Sequence, residues 1–206
     1  MKYYVRTTKE RILDKTYSQI DYELLIDFEH KPVESFIKQL ETISEEDAVL
    51  LEDDLILCKD FKNKIEEVIR QYPNKIINFF TNPNKYFSTR ESDIFAYNQC
   101  TYYPKGIAKQ IALEMKKIEE EEFPQKHQYD ILEGKALKTL GITHLQYRPC
   151  LVQHIDNRSL IQKNNKKRRT LFFVDYLEEL GISYFECSNH RNVVRLKYLL
   201  LNKFKS

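Results

Sequence analysis

A chain of 206 residues with 42% hydrophobic and 31% charged content can build one sizeable core and is too polar for a membrane bundle. Its net charge of +2 selects no partner class, although acids crowd the stretch before residue 135 and bases the stretch after 157. The four cysteines, Cys58, Cys100, Cys150 and Cys187, lie far apart with no Cys-x-x-Cys pair, which excludes a zinc-finger spacing and a disulfide framework and leaves buried thiols in a reducing compartment.

Taken in order, residues 2–6 read as a first strand, 7–11 as a polar loop and 22–26 as a second strand ending at Asp27. Pro32 opens a helix, where its missing N–H costs least, and Val33, Phe36, Ile37, Leu40 and Ile43 fall on one face. Then comes Val49-Leu50-Leu51-Glu52-Asp53-Asp54-Leu55-Ile56-Leu57, three carboxylates between two apolar runs. Such a run reads as a buried strand surfacing at its C-terminal edge, where open α/β sheets bind ligands. Three adjacent carboxylates repel one another and call for a cation; a hard divalent ion takes oxygen ligands and bridges to phosphate. A second amphipathic helix carries Phe61, Ile65, Val68, Ile69 and Tyr72 and stops at Pro73. Residues 75–80 are a strand, 81–93 a polar, mobile loop and 95–103 another strand. Pro104 opens a helix with Ile107, Ile111, Met115 and Ile118 inward, whose charged end 116–122 is closed by Pro124. A shorter helix spans 129–140 with Gly141 as its stop, and 145–152 is a last strand.

Strands and helices in alternation predict an α/β fold with a mostly parallel sheet. Four glycines leave no Gly-rich phosphate loop, so a bound nucleotide would have to be held by metal and side chains. From Arg158 the chain turns basic, with Lys163, Lys166, Lys167, Arg168 and Arg169 in a stretch without acids, a helix over 171–180 and a basic amphipathic helix over 189–205. That extension suits an anionic membrane surface or a polyanion. The N-terminus lacks the apolar core of a signal peptide and no run reaches the roughly 18 apolar residues of a membrane span, so a cytoplasmic protein is expected.

Ala48-Val49-Leu50-Leu51-Glu52-Asp53-Asp54 resembles the acidic motif of glycosyltransferases with the GT-A fold, in the Glu-Asp-Asp form of the lipopolysaccharide-type enzymes of glycosyltransferase family 25. The segment 98–108, Tyr129-Asp130-Ile131-Leu132, and Pro149-Cys150-Leu151-Val152-Gln153-His154 are similar to later blocks of that family and its fringe-like relatives, in the same order. The family's usual opening, Asn-Leu-x-x-x-x-x-Arg, is replaced here by Val5-Arg6-Thr7-Thr8-Lys9-Glu10-Arg11. The resemblance covers residues 2–160. It implies a GT-A-like three-layer α/β/α sandwich over 1–160 with a basic helical extension over 161–206. It also implies a nucleotide-sugar donor, most often a UDP-sugar, with Mn2+ or Mg2+ on its diphosphate. Transfer would go to a glycan or lipid-linked glycan acceptor.

On that basis Asp54 is the first metal ligand, Glu52 shares its face by strand alternation, and His154 is the imidazole ligand. Asp53 meets ribose or ligand water. Arg6, Thr7, Arg11 and Asp27 complete the donor contacts with Glu52 and Asp53, and Arg158 is a further phosphate or acceptor contact. An inverting transfer needs a carboxylate base, Asp130 first and Glu133 second. Three other classes fit parts of the sequence: a metal-dependent nuclease with a lysine beside the acids, a non-catalytic binding module, and a glycosyltransferase of DNA that uses its basic tail as a footprint.

Overall fold

The computed structural model describes residues 1–81, 89–95, 97–121, 129–155, 170, 172–179 and 181. Arg158, the basic run 163–169, Cys187 and the helix expected over 189–205 lie outside them.

Strand β1 (Lys2–Thr7) pairs in parallel with β2 (Tyr22–Ile26) on one side and β3 (Ala48–Glu52) on the other. Strand β7 (Cys100–Tyr103) is antiparallel to β3 and to β5 (Ile76–Asn78). Beyond β5 lie β8 (His144–Gln146), parallel to it, and β6 (Arg90–Ser92), antiparallel to β8. The seven strands run in the order β2-β1-β3-β7-β5-β8-β6. All but β6 and β7 share one direction, so the sheet is mixed with a parallel majority. A second sheet of two strands pairs β4 (Leu55–Leu57) antiparallel to β9 (Val152–His154).

Alternation along the strands divides the buried side chains between two cores. Tyr3, Val5, Val49, Leu51 and Tyr102 face helix α2 (Phe61–Gln71) and the small sheet. Tyr4, Ala48, Leu50 and Tyr103 face helices α1 (Pro32–Thr42), α3 (Ile107–Glu121) and α4 (Tyr129–Thr139). Helices thus cover both faces. On α2 the residues Phe61, Ile65, Val68 and Ile69 are buried at helical spacing, as the sequence predicts, each worth about 1.5–3 kcal/mol of transfer free energy. Gly141, at φ +66°, ends α4 in the left-handed region that glycine adopts freely. No helix among the described residues is long and apolar enough to cross a membrane.

Three expectations change. The loop expected over 81–93 contains β6, which offers no apolar alternation; Arg90 instead donates twice to Gln146 Oε1, at 3.1 and 3.0 Å, and Lys75 reaches Glu91 at 2.6 Å. The strand expected over 95–103 begins only at Cys100, because Tyr97 sits at φ 67° and breaks the extended run. The strand expected over 145–152 is two strands in two sheets. Pro149 has no N–H to give a ladder, and the chain crosses there from β8 to β9. Helix α5 (Val174–Glu179) matches the helix expected near 171–180, but Phe172, Phe173, Val174 and Leu177 are buried, so this part of the basic extension is built into the domain.

Candidate functional site

The acidic run is the passage between the two sheets. Glu52 ends β3, its N–H donating to the Gln99 carbonyl at 2.8 Å. Asp53 and Asp54 form the bend, and Leu55 starts β4. The Asp54 carbonyl accepts from Ile155 N–H at 2.8 Å, extending the β4–β9 ladder past His154. Pairing fixes the neighbours: Arg6 stands opposite Glu52, and Leu55 opposite His154. Everything gathers at the C-terminal ends of β1 and β3, the edge where parallel strands leave ligand crevices.

Glu52 points toward α1 and α4. Arg6 Nη2 donates to its Oε1 at 2.9 Å, the Tyr129 hydroxyl donates to the same oxygen, and the Tyr17 hydroxyl donates to its carbonyl. The Arg6 guanidinium lies over the rings of Phe36, 4.9 Å from the centroid, and Tyr129, at 4.3 Å. Burial works against the Arg6 charge, yet Tyr129 and Glu52 beside it keep it firmly protonated. Burial pushes the Glu52 carboxyl up, with Arg6 opposing. On the same row the Gln99 side chain is 3% exposed, and its Oε1 has no hydrogen-bond partner among the described residues.

Asp53 accepts from Thr7 Oγ1 at 2.7 Å, and burial raises its carboxyl. Asp54 Oδ2 lies 3.3 Å from His154 Nε2. Burial pushes Asp54 up, but His154 and Arg11 together hold its carboxyl below the usual range. Its other oxygen, Oδ1, is buried with no hydrogen-bond partner among the described residues. Arg11 stands further off, Nε 3.9 Å from Asp53 Oδ1 and Nη2 4.0 Å from Asp54 Oδ2. It lies on the loop leading to the 3-10 turn Lys15–Gln19, which is seated on the small sheet and α2: Leu57 N–H donates to Thr16 Oγ1 at 3.0 Å and Phe61 N–H to Gln19 Oε1 at 3.1 Å.

Glu52, Asp54 and His154 each offer a ligand atom, all within 4.8 Å of one another. Two carboxylates and an imidazole suit Mn2+ and also fit Mg2+. The orphaned Asp54 Oδ1 favours a ligand there, because a buried acceptor without a partner is costly. The donor set therefore fits a divalent cation.

The remaining expected residues are spread around this centre. Asp27 spends its carboxylate on the turn into α1, accepting from the N–H groups of Glu29 at 3.2 Å and Lys31 at 3.3 Å. Asp130 is half-buried on the first turn of α4, beside Tyr129. Glu133 is fully buried and accepts from Asn98 Nδ2 at 2.6 Å and the Tyr103 hydroxyl at 2.7 Å; burial raises its pKa to about 8. Sequence reasoning missed Tyr17, Tyr129 and Gln99 as groups around Glu52. For Tyr129 one signal existed, an aromatic just ahead of an acid at a helix start.

The chain matches no family model and no curated protein. Among solved structures it is similar to A197 from STIV, at 13% identity and a TM-score of 0.47, covering 82% of this chain and 98% of that one. At that depth the likeness bears on neither chemistry nor family.

Proposed function

We propose that the protein is a metal-dependent glycosyltransferase of GT-A-like architecture, using a nucleotide-sugar donor, a UDP-sugar first, and a glycan or lipid-linked glycan acceptor in the cytoplasm. One observation carries the reading: Glu52, Asp54 and His154 converge within 4.8 Å at the C-terminal edge of the parallel strands. When bound, Mn2+ or Mg2+ supplies neutralisation of the charge that develops on the departing nucleoside diphosphate.

This chain's residues do the rest. Asp54 and His154 hold the cation, with Glu52 kept in position by Arg6 and Tyr129. Asp53, fixed by Thr7, remains available to ribose or ligand water. Asp130 takes the proton of the acceptor hydroxyl in an inverting transfer, a role worth about 10²–10⁴-fold in rate. Glu133 is less suited to it, being sealed from solvent and protonated at neutral pH. The nuclease alternative called for a lysine beside the acids; among the described residues the side chains paired with these carboxylates are instead Arg6, Arg11 and His154.

The test is donor hydrolysis. Purified protein with Mn2+ is expected to release nucleoside diphosphate from at least one nucleotide-sugar in a broad panel, and Asp54→Ala is expected to lose both that release and Mn2+ binding by calorimetry. Silence over the whole panel with intact Mn2+ binding would leave a binding module; cleavage of nucleic acid with Mg2+ would make it a nuclease.

A further inference from the structure

The two arginines at the site are held very differently. Arg6 is hydrogen-bonded to Glu52 at 2.9 Å and covered by two rings. Arg11 faces Asp53 and Asp54 at 3.9 and 4.0 Å, too far for a hydrogen bond to either. It balances their charge without being locked to them. Its side chain keeps 17% of its surface exposed, against 12% for Arg6. Arg11 is carried by a loop, whereas Arg6 belongs to a sheet strand.

Three carboxylates, Glu52, Asp53 and Asp54, stand against two guanidinium groups, Arg6 and Arg11, and the His154 imidazole. A divalent cation on Asp54 overturns that balance. It places two positive charges where Arg11 now contributes one, and Arg11 is the member of the group with no bond to break. A diphosphate arriving with the cation supplies the anion that Arg11 has lost, and a guanidinium fork matches phosphate oxygens.

We infer that Arg11 is an exchangeable counter-ion: it neutralises Asp53 and Asp54 before the cation binds and moves to the diphosphate afterwards, so that metal and nucleoside diphosphate bind cooperatively through it. This rests on the metal-dependent reading above and adds a regulation of that site. Competition between Arg11 and the cation keeps affinity for free metal low. The diphosphate relieves the competition, so the loaded state forms mainly when both partners are present. Coupling of this kind is reciprocal, each ligand tightening the other by the same factor.

Calorimetry on the full chain reads this without turnover. Mn2+ is titrated alone and again with saturating uridine, guanosine or cytidine diphosphate, in wild type, Arg11→Gln and Arg11→Lys, with melting curves as a folding control. Arg11→Gln is expected to bind Mn2+ alone about fivefold or more tightly than wild type, and the enhancement of Mn2+ binding by nucleotide is expected to shrink by at least the same factor. Arg11→Lys keeps the charge, so its Mn2+ affinity should stay close to wild type, while its nucleotide enhancement falls between the other two. Mn2+ binding that is unchanged or weaker in Arg11→Gln, or an enhancement that survives intact, overturns the inference and leaves the metal site standing. A wild type that binds no Mn2+ even with saturating nucleotide, or binds it then equally well as Asp54→Ala, removes the proposed function and this inference with it.

Discussion

Arg6 and Glu52 form a mostly buried ion pair, with side chains 12% and 13% exposed. Such a pair adds little net stability when intact, because each charge loses its hydration, but removing one partner strands the other. Arg6→Met should therefore cost about 3 kcal/mol in urea unfolding, with Glu52→Gln costing a comparable amount. The Arg6→Met, Glu52→Gln double variant should recover at least half of the summed loss. Strictly additive losses would show that Tyr129 and the flanking rings, rather than the pairing, hold these groups in place. The acids and His154 were legible in the sequence because they interrupt or end apolar runs, and that polarity contrast is local. Gln99 and Tyr17 were not. Their role at Glu52 follows from strand pairing over 47 residues and from a hydroxyl reaching across 35, and one-dimensional spacing carries neither.

At the level of elements, the reading succeeded where burial imposes a period. Helices α1, α2 and α4 and strands β1 and β3 bury one face or both, and their apolar spacing shows it. It failed at β6, an edge strand held by Arg90–Gln146 and Lys75–Glu91 contacts, whose residues look like loop. The β8–β9 run also misled, since the succession Leu145, Tyr147, Cys150, Leu151 and Val152 does not say that the chain changes sheets at Pro149. That division matters, because it delivers His154 to the partner strand of β4 and hence to Asp54. Helix α4 depends on its stop. Gly141 lies at φ +66° with nothing within 4 Å of an added Cβ, so substitution there meets strain and no clash. Gly141→Ala should lower stability by about 1 kcal/mol, and Gly141→Asn by less, since asparagine tolerates the left-handed region. Equal losses for both variants in thermal unfolding would instead mean that the position responds to side-chain bulk.

Across the whole molecule, two buried groups on the α1–α3–α4 side of the sheet give stability opposing pH dependences. Burial raises Glu133 from an ordinary 4.5 to about 8, with Tyr103, Arg6 and Asn98 only partly offsetting it. The folded chain thus holds a proton that the unfolded chain has released, and stability from this group falls as pH rises from about 4.5 to about 8. His144, 1% exposed and packed against Phe95, is lowered from 6.5 to about 4, first by burial and then by Arg90. Here the unfolded chain takes up the proton first, so stability is lost as pH falls from about 6.5 to about 4. Each group changes stability by about 1.4 kcal/mol per pH unit within its window. Between about pH 4.5 and 6.5 the two slopes oppose and nearly cancel. From 6.5 to 8 only Glu133 acts, and stability should decline by about 2 kcal/mol. Urea midpoints across this range should show a plateau followed by a fall in wild type. Glu133→Gln should abolish the fall and expose the rise contributed by His144 below 6.5. His144→Leu should remove the plateau, so that stability climbs steadily as pH drops from 8 toward 4.5. A Glu133→Gln protein that still loses about 2 kcal/mol between pH 6.5 and 8 would place the proton elsewhere, and the carboxyl held by Asn98 and Tyr103 would then be ionised in the fold.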